Sequence, residues 1–379
     1  MVAHRADPRP DKIDLGVGVF KDEAGNTPVF RAVKAAERLL LEGQQTKAYL
    51  GAEGDMRFTA LLQDLLFGAD FDVARVAGLQ TPGGTGALRL TADLLAHEAD
   101  TASPGMPVVV GLPTWTNHLP ILHAARHIVQ GFGYFDIASQ TIDFDAMLAA
   151  CAPMRLGQPI LLQASAHNPT GADLSPRQWD ELIRVMAETR CLPIFDFAYH
   201  GLVADLESDA YPIRRAAEIL PEFVVTYSCD KNFGLYRERT GALFVVCDGG
   251  EARARVMSNI LALARANWSM PPDHGAAVVR TVLDDAGLTQ SWRAELGEIA
   301  ARIGAMRELL ADGHPQLAFL RQQNGMFVSL GLSADQIGKL RDRHGIYLIQ
   351  SGRMNITGMR SSDCPRVIDG LIDVGFLAA

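Results

Sequence analysis

In the stretch SCDKNFGLYRERTGA, residues 228–242, Lys231 stands between two apolar runs, FVVTY and ALFVVC. A buried ammonium is costly, so a lysine placed there asks for a chemical reason. In a tight, partly dry site its pKa falls and it becomes a nucleophilic amine. Ser228 and Arg239 flank it, one a hydroxyl donor and the other a bidentate clamp for an anion. Asp196 in IFDFAYHG interrupts another apolar run, and a buried carboxylate needs a cationic or donor partner. A structural ion pair or a helix cap would also explain it. Tyr199, three residues on, can meet the same ligand.

Three more stretches follow apolar runs. TPGGTGALRL carries Gly83, Gly84 and Gly86 in what reads as a loop feeding a helix that starts near Thr85. Such a loop can present free amides to a phosphate, although it matches neither a Walker A loop nor GxGxxG, and alone it reads as a plain turn. LPTWTNH offers the flat face of Trp115 and the imidazole of His118, and core packing explains a tryptophan equally well. In QASAHNPTGADLSP the turn residues around Asn168 punctuate the end of a strand, either as a loop or as a ligand contact. A phosphate, a carbonyl to condense with Lys231 and a ring to stack on Trp115, its protonated nitrogen on Asp196, satisfy all of these places together. Pyridoxal 5′-phosphate has those groups.

The elements that must position these residues are legible in outline. Apolar runs at 107–112, 159–165, 192–199, 223–228 and 242–247 read as strands, and their near-continuous hydrophobicity suits burial on both faces of a parallel sheet. Helical patterns at 86–99 and 175–190 lie between them, the second opening on Ser175 as N-cap and Pro176 at the first helical position. This alternation predicts a doubly wound α/β domain whose ligands gather beyond the carboxyl ends of the strands. After about residue 250 the pattern turns helical, with a long helix over 291–312, and reads as a smaller α+β unit.

Composition narrows the function class. The 379 residues are 48% hydrophobic and 21% charged, an ordinary balance for a globular chain long enough for two domains. A net charge of −9 supplies no basic field for nucleic acid or an anionic membrane. The sequence shows no apolar run of membrane-spanning length and no signal-peptide pattern in MVAHRADPRPDK, so a cytoplasmic protein is expected. Five scattered cysteines without a CxxC pair suit a reducing compartment and argue against disulfides or structural zinc. His123 and His127 share a helix face at i, i+4 but lack the acidic partner of HExxH, so a zinc hydrolase is set aside and no metal is expected.

In order, GGTGAL, PTWTNH, HNPTG, DFAYHG, SCDKNFGLYRERTG and SGRMNITG make the chain resemble the class I aspartate and aromatic-amino-acid aminotransferases, from DPRPDKIDLGVGVFKDEAGNTP to the C-terminus. The resemblance implies the fold type I architecture of pyridoxal-phosphate-dependent transferases. It has a large doubly wound, mainly parallel domain at 28–298 and a small α+β domain from 1–27 with 299–379. It implies Lys231 as the lysine that binds the cofactor and shuttles the substrate proton, and Asp196 as the carboxylate that keeps the pyridine nitrogen protonated, supported by His118. Asn168 and Tyr199 correspond to the pair on the cofactor's phenolic oxygen, and Trp115 to the stacking ring. Gly84, Thr85, Ser228 and Arg239 correspond to the phosphate cup. Tyr49 and Arg265 are implied to act across a homodimer, Tyr49 on the neighbour's phosphate and Arg265 on a substrate side-chain carboxylate. Arg353 matches the clamp on the substrate α-carboxylate, and Gly18 the place where the small domain closes over substrate. Trp115 and Asn168 face the substrate as well.

Departures from the family pattern sharpen the substrate expectation. Gly83 and the run YLIQSGRM are similar to the aromatic-preferring members, and Met270 replaces an asparagine that fixes the distal arginine in strict aspartate enzymes. Exchange between aromatic or dicarboxylic amino acids and 2-oxoglutarate is therefore expected, with strict aspartate aminotransferase as the alternative. Gln163 stands where relatives often carry histidine, and only a tuning of hydrogen bonds is expected from it. The family's apolar arm precedes the DPR segment, almost where this chain begins, which bears on dimer stability and closure. A β-lyase or decarboxylase on this fold suits the paired arginines less well. A non-catalytic sensor would have no use for both Lys231 and Asp196.

Overall fold

The computed structural model describes residues 2–99 and 105–378. Seven strands form the central sheet: β1 (Val76–Pro82), β2 (Val108–Leu112), β3 (Val129–Gly133), β4 (Pro159–Gln163), β5 (Leu192–Phe197), β6 (Phe223–Ser228) and β7 (Thr240–Val246). Their spatial order is β1-β7-β6-β5-β4-β2-β3. Pairs from β6 through to β3 are parallel, whereas β7 runs antiparallel to both β6 and β1.

Successive side chains of the inner strands enter two different cores. Phe195, Phe197, Val225 and Tyr227 face one, and Ile194 and Val224 face the other. Burial on both faces is why these strands read as unbroken apolar runs. The same logic explains the strands that hydrophobicity does not reveal. β1 contains Gly78, Gln80 and Thr81, and β3, at the sheet edge, has the exposed residues Gln130, Gly131 and Gly133.

The helix Pro176–Thr189 begins as expected, with Ser175 and Gln178 forming a reciprocal capping box. One expectation needs correction. The helix after β1 starts at Gly83 rather than near Thr85, so strand passes into helix with no intervening loop.

The chain ends meet beside the sheet. Ile13–Asp14 pairs in parallel with Ile346–Tyr347, and Phe327–Ser329 pairs antiparallel with Arg353–Asn355. Leu15, Ile346 and Met354 share one core with Phe195 and Phe223, so the two regions are packed into a continuous apolar body. The 28-residue helix Ala286–Gly313 runs without interruption across residues 298 and 299. Its buried Trp292 stacks on Phe233 with ring centroids 4.4 Å apart and donates to the Asn232 carbonyl at 2.7 Å. From below, Tyr227 Oη receives Asn232 Nδ2 at 2.8 Å. The turn holding Lys231 is thus braced on two sides.

Candidate active site

The carboxyl ends of β1, β4, β5 and β6 open onto one cavity of about 240 Å³. Antiparallel β7 contributes from its amino end, which brings Arg239 to the same place. The lining includes Gly84, Thr85, Trp115, Asn168, Asp196, Tyr199, Ser228, Lys231 and Arg239, together with Leu88, Gln163, Ala198 and Asp230.

Asp196 is buried and held from both oxygens. His118 Nε2 lies 3.0 Å from Oδ2, and Thr226 Oγ1 donates to Oδ1 at 3.4 Å. Thr114 Oγ1 is 2.7 Å from His118 Nδ1, and Gln163 Nε2 reaches Thr114 Oγ1 at 3.4 Å. One direction of donation satisfies the whole series: Gln163 to Thr114, Thr114 to His118, and the Nε2–H of His118 to Asp196. His118 stands behind Asp196 and does not line the cavity.

Gln163 grips Asn168 at both backbone atoms, accepting from its N–H at 2.9 Å and donating to its carbonyl at 2.9 Å. Asn168 Nδ2 then donates to Tyr199 Oη at 3.1 Å, and Arg353 Nη1 donates to Asn168 Oδ1 at 3.1 Å. Arg353 is buried, its guanidinium 4.2 Å from the Phe327 ring centroid, and its Nε has no partner. Among the described residues no carboxylate lies within ion-pair distance of it, and burial pushes its pKa down. A desolvated guanidinium without a counter-ion is an open site for an anionic ligand.

Lys231 lies 4.0 Å from Asp230 Oδ2 and 5.3 Å from the Tyr199 ring centroid. Burial lowers its pKa, against the opposing pull of Asp230 and Asp196, which favours the free amine. Around Arg239 an anion cup takes shape. The helix Gly83–Ala99 points its first amides there with no acidic residue in its first turn. Gly84 lets the helix approach Ser228 closely: an added Cβ would sit 3.0 Å from Ser228 Cβ and press on it. Ser228 Oγ accepts from Asp230 N at 3.2 Å, leaving its own hydrogen free to donate.

Besides His118, four sequence candidates do not line the cavity: Gly18, Tyr49, Arg265 and Arg353, the last of which reaches it through Asn168. Gly18 is exposed in a segment tied down by Arg353 Nη2 on the Gly16 carbonyl (3.1 Å) and Asn355 Nδ2 on those of Val17 and Val19 (2.8 Å each). Tyr49 and Arg265 are exposed, and neither lines the cavity. His123 and His127 do not share a helix: the helix ends at Ala124, and His127 Nε2 meets the Ala92 carbonyl at 2.7 Å. Among the described residues no group of His, Cys, Asp or Glu can hold a metal, and no helix is long and apolar enough to cross a membrane.

Sequence reasoning misses Asp230 and understates Gln163. The signal for Asp230 is plain in SCDK, an acid beside the lysine of a proposed anion site, but adjacency in sequence does not reveal which way it points. Behind the site His167 is buried against Tyr134, with its pKa pushed down to about 3 by desolvation, so it acts as a neutral hydrogen-bonding group.

Comparison with known proteins bears on this geometry. The family model described as aminotransferase class I and II matches residues 10–371. The tyrosine aminotransferase of Rhizobium meliloti is 46% identical over 367 residues, covering 96% of this chain and 93% of the relative. The aspartate aminotransferase of Escherichia coli is 41% identical over 379 residues, covering 98% and 95%. Among solved structures, the aromatic-amino-acid aminotransferase of Burkholderia pseudomallei, covalently bound to pyridoxal phosphate, superposes with a TM-score of 0.94. It is 36% identical, and the match covers 98% of this chain and 95% of that one.

Proposed function

The chain belongs to the class I and II aminotransferases, and from that premise we propose that it moves an amino group between aromatic or dicarboxylic amino acids and 2-oxoglutarate. The observation that carries this reading is the gathering of an amine, a carboxylate and an anion cup around a single cavity.

The residues present fit pyridoxal 5′-phosphate. The cup offers Gly84, Thr85, Ser228 and Arg239 to a phosphate, Trp115 a face for a ring, and Lys231 a partly desolvated amine. When bound, the cofactor supplies a carbonyl that condenses with amines and a cationic ring that draws off the electron pair freed at an amino acid's α-carbon. Asp196, oriented by His118 and Thr226, would hold the ring N–H and keep it charged. Asn168 and Tyr199 would present their donors to the ring oxygen. Arg353, already gripping Asn168 Oδ1, would take the substrate α-carboxylate and so register the α-carbon against Lys231. Lys231 Nζ would then remove a proton from that carbon and return one to the cofactor.

Specificity in this reading rests on Arg265. Its guanidinium is exposed and has no acidic partner among the described residues, while Met270 turns its sulfur to the Leu50 N–H at 3.0 Å. With methionine rather than asparagine at position 270, an arginine held less firmly can accept a dicarboxylate or give way to an uncharged ring. In half-reactions with a panel of amino acids, phenylalanine, tyrosine and aspartate should all react. Arg265→Ala should lower kcat/KM for aspartate by about ten- to a hundredfold, the worth of a charge-assisted hydrogen bond, and leave aromatic donors far less affected. Equal losses for both classes, or no reaction with aromatic donors, would remove the dual-specificity reading.

A homodimer accounts for Tyr49 and Arg265, which stand apart from the cavity. Tyr49 is 92% and Leu41 85% exposed, and Leu39, Leu50 and Met56 are about half-exposed, so residues 39–56 leave five large apolar side chains open to water. Sedimentation should give twice the chain mass at micromolar concentration, and a monomer would leave Tyr49 and Arg265 without the roles assigned across the interface.

A further inference from the structure

The anion cup contains a carboxylate. Asp230 is 6% exposed and lines the cavity, with Oδ2 2.6 Å from Arg239 Nη1 and 4.0 Å from Lys231 Nζ. Its other oxygen, Oδ1, is buried without any hydrogen-bond partner. A buried acceptor left unpaired is costly, and a negative charge in a cup for a dianion is costly again when the dianion arrives.

Resting on the cofactor reading above, we propose that Asp230 is a built-in competitor for Arg239 that loosens the hold on the cofactor's phosphate. Arg239 Nη1 is committed to Asp230 and to the Tyr236 carbonyl at 3.1 Å, which leaves Nη2 and Nε for a ligand. A phosphate at that edge shares the guanidinium charge with the carboxylate and sits within a few ångströms of it. Orientation of Arg239 is the one benefit Asp230 confers, and the Tyr236 carbonyl keeps much of it when the charge is removed. Repulsion therefore outweighs alignment. The consequence differs between cofactor forms. The aldehyde form is retained by its bond to Lys231, whereas pyridoxamine 5′-phosphate cannot form that bond and depends on the cup. This protein should therefore exchange its amine-form cofactor with solution more readily than its arginine and helix terminus suggest.

The test compares binding of pyridoxamine 5′-phosphate and of unphosphorylated pyridoxamine to full-length apoenzyme, read by tryptophan fluorescence. Asp230→Asn preserves shape and removes charge, and Asp230→Ser provides a second variant should the first not fold. Pyridoxamine 5′-phosphate should bind both variants about tenfold more tightly than wild type, the scale of one unit charge at several ångströms in an intermediate dielectric. Pyridoxamine should be unaffected. Release of the phosphorylated form from donor-treated holoenzyme should slow to match. Unchanged or weaker binding of the phosphorylated form overturns the proposal, and so does an equal gain for both ligands, which would not act through phosphate. Wild-type protein that binds neither ligand, and takes up no pyridoxal 5′-phosphate, would instead sink the reading of the site itself.

Discussion

Lys231→Ala should abolish measurable turnover, with kcat falling by at least about 10²- to 10⁴-fold, the range for losing one positioned acid–base group. The variant should still take up cofactor, because the cup, Asp196 and Trp115 are untouched, but borohydride treatment should leave no cofactor attached to the chain. The expectation rests on burial: desolvation favours the free amine of Lys231 even with Asp230 and Asp196 nearby. The same shift has a thermodynamic counterpart. A lysine whose folded pKa is depressed destabilises the fold at pH values below that pKa, and the penalty disappears as pH rises towards the unfolded value. Apo Lys231→Ala protein should therefore melt higher than apo wild type at neutral pH, with the gain shrinking under alkaline conditions. Undiminished transamination by this variant would overturn the role given to the lysine.

Asp196→Asn should lower kcat by about 10²- to 10³-fold, the cost of removing one preorganised electrostatic partner of the developing charge. The amide keeps an oxygen for His118 Nε2–H, so the series from Gln163 through Thr114 survives and the fold should be preserved. What is lost is the charge proposed to keep a ring nitrogen protonated. Substrate KM should move much less than kcat, since Arg353, proposed to take the α-carboxylate, is untouched. A variant with normal kcat would show that the ring needs no anionic partner, and the assignment of Asp196 would fall. His118 would then be no more than a packed histidine.

Much of the site is legible in the order of residues because it gathers at strand ends. Asp196, Ser228 and Asn168 each sit at or just beyond the carboxyl end of an apolar run, and in a parallel sheet those ends all face the same way. Arg239 is the exception. It precedes β7, and it reaches the cavity because β7 alone runs in the opposite direction. Hydrophobicity does not disclose that reversal, since a strand buried on both faces looks alike in either direction. The helix start at Gly83 escapes reading for a related reason: three glycines signal a turn, yet here Gly83 adopts φ +70° and strand passes directly into helix.

The chain's own order of residues determined the class of chemistry. A lysine in an apolar setting, an acid in a strand, a glycine-led helix and a lone arginine imply a cofactor with a carbonyl, a basic ring and a phosphate. Only the tertiary structure decided how those groups are weighted. Two residues apart in sequence, Ser228 and Asp230 both face the cup, and the carboxylate takes Arg239 at 2.6 Å while leaving one oxygen unpaired. Gln163, five residues from Asn168, becomes a two-point clamp because the chain folds back on the end of β4. Arg353 gains its meaning from what surrounds it: an aromatic face, an amide and, among the described residues, no counter-ion. Charge and hydrogen-bonding capacity belong to residue types and can be read in order. Orientation, desolvation and the absence of a partner are properties of packing, and they arise only when distant segments meet.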